Sequence, residues 1–156
     1  MTQQTIEAVT RSVLVPLEPG AAFELFTDRF ADWWPKDSHH IGEADAADVF
    51  LEPREGGRWY ERAEDGAECD WGRVLEIDRP NRIVLAWQLT PEWRYDPDPA
   101  NATEVEVTFK AEQDQTRVTL EHRGFEVHGE AGAAMRESVG GDGGWRSLME
   151  LYRSAA

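Results

Sequence analysis

Two kinds of residue in this sequence could do chemistry: a few histidines and carboxylates, and an unusually large set of seven tryptophans among 156 residues. His122 lies in the stretch TRVTLEHRGF, residues 116–125, where Val118, Leu120 and His122 share one face of a strand and Arg117, Thr119, Glu121 and Arg123 the other. A histidine on the apolar side of a strand is most often a satisfied hydrogen-bonding group. It is also placed to touch a ligand or to handle a proton near neutral pH. His39 and His40 are adjacent in the polar stretch 36–42. Vicinal histidines suggest metal ligation, but no HExxH, no paired CxxC and no carboxylate at a recognised offset accompanies them. They read as loop residues, and no metal or cofactor is expected. No Ser-His-Asp order and no glycine-rich phosphate loop is present either.

Composition narrows the function classes. Thirty-one acidic and 16 basic residues give a net charge of −15. Such a surface repels nucleic-acid phosphates and anionic lipid, because affinity for both comes largely from Lys and Arg releasing counterions. The acidity reads as solubility, or as docking to a basic partner. No apolar run reaches 18 residues, so no membrane insertion is expected. The N-terminal residues show no basic region followed by an apolar one, so no secretory signal is expected. The single Cys69 cannot form an internal disulfide and reads as a small strand residue, which fits a reducing cytoplasm.

The elements that must position these residues centre on the stretch 52–87, EPREGGRWYERAEDGAECDWGRVLEIDRPNRIVLAW. Its three apolar runs, 58–63, 69–77 and 82–89, are short and rich in Trp, Val and Ile, which predicts an antiparallel meander. Asp65-Gly66 supplies a tight hairpin and Asp78-Arg79-Pro80-Asn81 the second turn. Ahead of the meander, 6–17 and 46–51 read as strands. Residues 21–30 place Ala22, Phe23, Phe26 and Phe30 at helical spacing, and 28–34 predict a second short helix stopped by Pro35.

After the meander, the three prolines at 91, 97 and 99 make 90–101 a long loop carrying Trp93 and Tyr95, of the kind that can cover a pocket entrance. Residues 103–111 and 116–125 alternate as two further strands. The C-terminal part from 130 is helical by pattern, with a glycine-rich interruption at 140–144. Trp145, Leu148, Met149 and Tyr152 then form an apolar stripe at i, i+3, i+4, i+7. At this length one domain spanning 1–156 is expected.

This order of elements resembles the helix-grip, birch-pollen-allergen-like fold of the START-like (SRPBCC) superfamily. That is an α+β architecture with a curved antiparallel sheet of about seven strands, two short helices after strand 1, and a long C-terminal helix across the sheet. Within the superfamily, four motifs look like the family named for the activator of heat-shock protein 90 ATPase, C-terminal-domain type. They are FLEPREGGRWYE at 50–61; WGRVL at 71–75 with Pro80, Arg82 and Trp87; LEHRGF at 120–125; and Gly144-Trp145 ahead of Leu148. With only five residues ahead of the first strand, no counterpart of the co-chaperone's N-terminal domain is expected.

The resemblance implies a cavity between sheet and C-terminal helix, mostly apolar with a few polar anchors. Trp59, Trp71, Trp87 and Trp145 fall where they could line it, and Trp33 or Trp34 and Met149 could join them. Glu61, at the same strand parity as Trp59, and His122 would be its inward polar groups. Three function classes follow. The first is binding of a small hydrophobic or aromatic molecule. The second is a chaperone-regulator-like interaction module. The third is a cyclase- or hydrolase-type enzyme using Glu61 and His122 as an acid/base pair. Pairing of an edge strand offers a route to a homodimer. Trp71 and Val74 differ in parity, so a β-bulge between them would change which residues face inward.

Overall fold

Apolar side chains that recur every second residue can be buried only if a sheet keeps one face covered, and the strands through 103–109 and 116–123 show that alternation. The computed structural model describes residues 6–36, 38–42, 46–141 and 143–156. Seven strands form one antiparallel sheet: β1 (Val9–Val15), β2 (Ala46–Leu51), β3 (Arg58–Ala63), β4 (Glu68–Asp78), β5 (Arg82–Trp87), β6 (Thr103–Glu112) and β7 (Gln115–Arg123). Their spatial order is β1-β7-β6-β5-β4-β3-β2, so β1 and β2 occupy opposite edges. The connection between them carries helix α1 (Pro19–Phe26) and a short 3-10 turn, Phe30–Asp32, where the sequence suggested a second helix. Trp33 and Trp34 follow that turn, and both are buried.

The C-terminal segment splits at its glycines into α2 (Ala131–Gly140) and α3 (Trp145–Ala155). The break is steric as well as conformational. A Cβ on Gly144 would lie 2.0 Å from the Val139 carbonyl oxygen, so only glycine lets the chain fold back this tightly. α3 lies against β1 and buries its stripe of Trp145, Leu148, Met149 and Tyr152. The Tyr152 hydroxyl donates to the Ala22 carbonyl at 2.7 Å, which ties α3 to α1. Phe23, Phe26, Phe109 and Tyr152 pack edge to face beneath them. On the sheet's other face, Arg123 pairs with Glu104, Glu106 and Glu121, and Arg82 with Glu106, which keeps that surface polar.

The register of β4 resolves the parity conflict. Trp59 pairs with Gly72 but Tyr60 pairs with Asp70, so Trp71 is an inserted residue. A second shift between Val74 and Glu76 leaves Leu75 outside the pairing and exposed. The bulges let Trp71 and Val74 face inward together despite their spacing. Gly72 stands at the crossing point. A Cβ there would lie 1.7 Å from the Ala86 carbonyl oxygen on β5. Gly72→Ala should therefore push β4 and β5 apart and destabilise the protein by about 3 kcal/mol. Urea unfolding monitored by tryptophan fluorescence checks this, and an unchanged midpoint would show that the strands yield freely.

Candidate functional site

The bulge at Trp71, the end of β5 at Trp87, the first turn of α3 at Trp145 and the turn after Phe30 at Trp34 deliver four indoles to one place. Together they wall a cavity of about 330 Å³ between sheet and α3. Leu89, Val139 and Leu148 complete its apolar side. The ring centroids of Trp34 and Trp71 are 5.1 Å apart, those of Trp87 and Trp145 5.7 Å, and those of Trp34 and Trp145 6.3 Å. Among the described wall residues, the polar side chains other than the indoles lie in two segments: Ser38, His39 and His40 on the loop before β2, and Ser138 near the end of α2, beside Gly143 and Gly144.

A buried indole N–H needs an acceptor. Three of the four wall tryptophans have one. Trp34 donates to the His39 carbonyl at 2.9 Å, Trp71 to Glu61 Oε1 at 2.8 Å, and Trp145 to His122 Nδ1 at 2.9 Å. The Trp87 indole N–H has no partner among the described residues. Glu61 also accepts from the backbone N–H groups of Ile41 (2.6 Å) and Gly42 (3.2 Å), so one carboxylate holds both a wall indole and the loop at the mouth.

His122 is fully buried. Because the Trp145 indole can only donate, His122 Nδ1 is an acceptor. Its proton is therefore on Nε2, which donates to Thr103 Oγ1 at 2.7 Å. Burial, reinforced by the nearby His128, lowers its pKa from 6.5 to about 3, so it is neutral at physiological pH. Phe125 and Trp87 flank the ring at 4.7 and 5.0 Å.

The sequence reading placed Glu61 and His122 in the wall as polar anchors or an acid/base pair. The structure puts both one layer behind it, because the larger side chains of Trp71 and Trp145 come between them and the open volume. Each serves a different indole, and no hydrogen bond joins the two among the described residues. Trp33, Trp59 and Met149 are buried in the same layer without reaching the cavity wall. The Trp33 indole donates to the Leu25 carbonyl at 3.1 Å, and Trp59 packs against Trp71 and Trp87 at 5.7 and 5.5 Å.

Three wall residues were missed or understated by the sequence reading. Ser38 and His39 form a bonded pair at 2.8 Å, and His39 Nε2 donates to the Gly143 carbonyl at 2.7 Å across 104 positions of chain. His40 Nδ1 donates to the Gly42 carbonyl at 2.9 Å. The vicinal histidines were the only sequence signal, and they read as loop residues with no metal. Among the described residues no cluster of three or more His, Cys, Asp or Glu could hold a metal ion.

The loop after β5 is less irregular than its prolines suggest. Leu89 and Tyr95 form an isolated bridge, and the Thr90 and Arg94 backbones bond at 2.8 Å. Between them Trp93 adopts φ 62°, an uncommon left-handed conformation for a bulky residue. It remains 42% exposed, edge to face with Trp87 at 6.3 Å, as a lip of the cavity.

Comparison with known proteins follows this geometry. The model of the activator of Hsp90 ATPase homolog 1-like protein family matches residues 16–151. The chain belongs to that family. Among solved structures, it is 35% identical to Txn09, an anthrahydroquino-gamma-pyrone synthase solved as a complex, with all of both chains covered and a TM-score of 0.68. It is 34% identical to CalC of Micromonospora echinospora, a self-sacrificing resistance protein, covering 94% of this chain and 92% of that one at a TM-score of 0.68. The Aha1 dimer of Colwellia psychrerythraea, 13% identical over 96% of each chain at a TM-score of 0.62, shares the fold. No curated protein matches the chain. Among the described residues no helix is long and apolar enough to cross a membrane.

The state of His122 makes a pH prediction. The unfolded chain protonates this residue near 6.5, whereas the folded protein leaves it neutral down to about pH 3. Between those values the unfolded state holds the extra proton. The site's contribution to stability is therefore present at neutral pH and is lost as pH falls from 6.5 toward 3, by up to about 1.4 kcal/mol per unit. His122→Gln should be less stable than the parent protein by about 1–3 kcal/mol at pH 7.5, because it disturbs the bonds to Trp145 and Thr103. That gap should narrow steadily below pH 6.5 and close by about pH 4 in urea titrations, since the loss accumulates to about 3 kcal/mol. A gap independent of pH would mean that His122 titrates alike in both states.

Proposed function

We propose that the protein binds a flat, largely apolar aromatic molecule in the cavity walled by Trp34, Trp71, Trp87 and Trp145. The observation that carries this reading is four indoles around about 330 Å³, with the polar side chains of the other described wall residues at Ser38, His39, His40 and Ser138. That volume falls in the lower part of the range typical of small-molecule sites, about 300–1,000 Å³. Indoles offer both flat faces and edges to an aromatic guest, and the arrangement favours a guest whose polar substituents point toward the two histidines. The name of the 35% identical synthase specifies an anthrahydroquinone-fused product, which is a guest of this shape.

A second reading is ring closure of the bound molecule, favoured by that same relative and by the bonded Ser38–His39 pair in the wall. An enzyme built on Glu61 and His122 has less support, since Glu61 is taken up by an indole and two loop amides, and His122 by an indole and the Thr103 hydroxyl. The chaperone-regulator alternative rests on the family's name alone.

Titration with 1,8-dihydroxyanthraquinone, followed by tryptophan fluorescence and by melting temperature, tests the binding reading. Saturable quenching and a raised melting temperature are expected. Trp145→Phe should weaken affinity about three- to tenfold, the worth of one aromatic pairing. If the probe neither quenches nor stabilises, or if Trp145→Phe and Trp71→Phe lower stability while leaving affinity untouched, these residues are core and the reading fails.

A further inference from the structure

We infer that Ser38 and His39 are the proton-transferring pair of this cavity, and that its substrate is an aromatic molecule whose ionisable hydroxyl lies beside an electrophilic carbon. The inference rests on the aromatic-ligand reading above. Three features of the structure carry it.

The first is position. Among the described wall residues His39 and His40 are the two imidazoles, and Ser38 is the hydroxyl next to them. The second is orientation. A carbonyl oxygen only accepts, so the 2.7 Å contact with Gly143 fixes the His39 proton on Nε2. Nδ1 is then the basic nitrogen, and the Ser38 hydroxyl donates to it at 2.8 Å. A hydroxyl, a base and a third group that fixes the base's tautomer is the arrangement by which proteins ready a proton acceptor. The third is rigidity. The Trp34 indole donates to the His39 carbonyl, and the Trp34 and His39 rings pack edge to face at 5.9 Å. His39 is thus held from its backbone, its ring face and both nitrogens. His40, by contrast, bonds within its own loop at Gly42.

The chemistry balances without a co-reactant. A phenolic hydroxyl of the guest gives its proton to Ser38 Oγ as the Ser38 proton passes to His39 Nδ1. His39 becomes an imidazolium, with its Nε2–H still on the Gly143 carbonyl, and the guest becomes a phenolate. In a guest carrying a conjugated enone, the phenolate oxygen adds to the β-carbon. One C–O bond forms, and the C=C electron pair moves to the enone oxygen. The imidazolium then returns the proton through Ser38 to that enolate. The product is a cyclised isomer, so nothing is oxidised or reduced. The apolar indole wall raises the cost of an unpaired phenolate, which makes the imidazolium partner decisive.

The proton step can be read without knowing the natural guest. 2-Hydroxyanthraquinone reports its ionisation by colour, and its binding is read separately by tryptophan quenching. Bound to the parent protein, its phenolate should form about one pH unit lower than in free solution. His39→Gln keeps a donor near the Gly143 carbonyl but removes the base. It should shift phenolate formation above the free value, while affinity for the neutral probe at pH 5 stays within about threefold. Ser38→Ala, at an exposed position with little bearing on folding, should lose most of the depression. Quenching with an unshifted ionisation, or a depression that is the same in both variants, overturns the inference and leaves the binding reading intact. Absence of quenching by this probe and by 1,8-dihydroxyanthraquinone overturns the binding reading and the inference with it.

Discussion

A buried indole N–H must find an acceptor, and two such bonds organise this protein's cavity. Trp145 donates to His122 and Trp71 to Glu61. Each acceptor is itself fixed by further bonds: His122 by Thr103 on β6, and Glu61 by the amides of Ile41 and Gly42. These two buried polar groups therefore act as brackets. They set how far α3 stands from β7 and how close the mouth loop comes to β4, and the open volume is what remains between the braced indoles. Replacing either acceptor with an apolar group of equal size would leave an indole N–H and at least one other polar partner stranded in a low-dielectric interior, which costs more than the packing returns.

Backbone devices complete the arrangement. The bulge that inserts Trp71 into β4 turns its ring inward, and Gly72 beside it lets β5 approach. The glycine break between α2 and α3 lets the chain fold back tightly enough to offer the Gly143 carbonyl to His39. The lip residue Trp93 is held at positive φ by a tight turn after β5. These three devices are small departures from regular structure, and all of them border the cavity. Departures of this kind persist where the surroundings over-determine them, and they concentrate at functional sites. The activator of Hsp90 ATPase homolog 1-like family supplies the scaffold.

Much of this was legible in the sequence. Strand parity assigned Val118, Leu120 and His122 to the buried side, and the i, i+3, i+4, i+7 stripe gave the buried face of α3. Side-chain direction in a strand or helix is a local property, fixed by a period of 2 or 3.6. The run 58–63 and the run 46–51 coincide with β3 and β2 for the same reason, since turn residues bound them on both sides. The parity conflict between Trp71 and Val74 signalled a bulge, because a strict period cannot place both inside.

What the sequence determined by itself, then, is which side chains turn inward and what kind of fold they build. Tertiary structure decided which of those side chains meet the open space. Glu61, Trp59 and His122 share the inward face with Trp71 and Trp87, yet they lie behind the wall, because depth within a core depends on which larger neighbour comes between. That is set by packing across strands distant in sequence. The same holds for His39, whose partner Gly143 lies 104 positions away and belongs to no shared pattern. Periodicity reports direction along one element. The distance between two elements, and so the chemistry of the surface they enclose, is fixed only when the chain closes on itself.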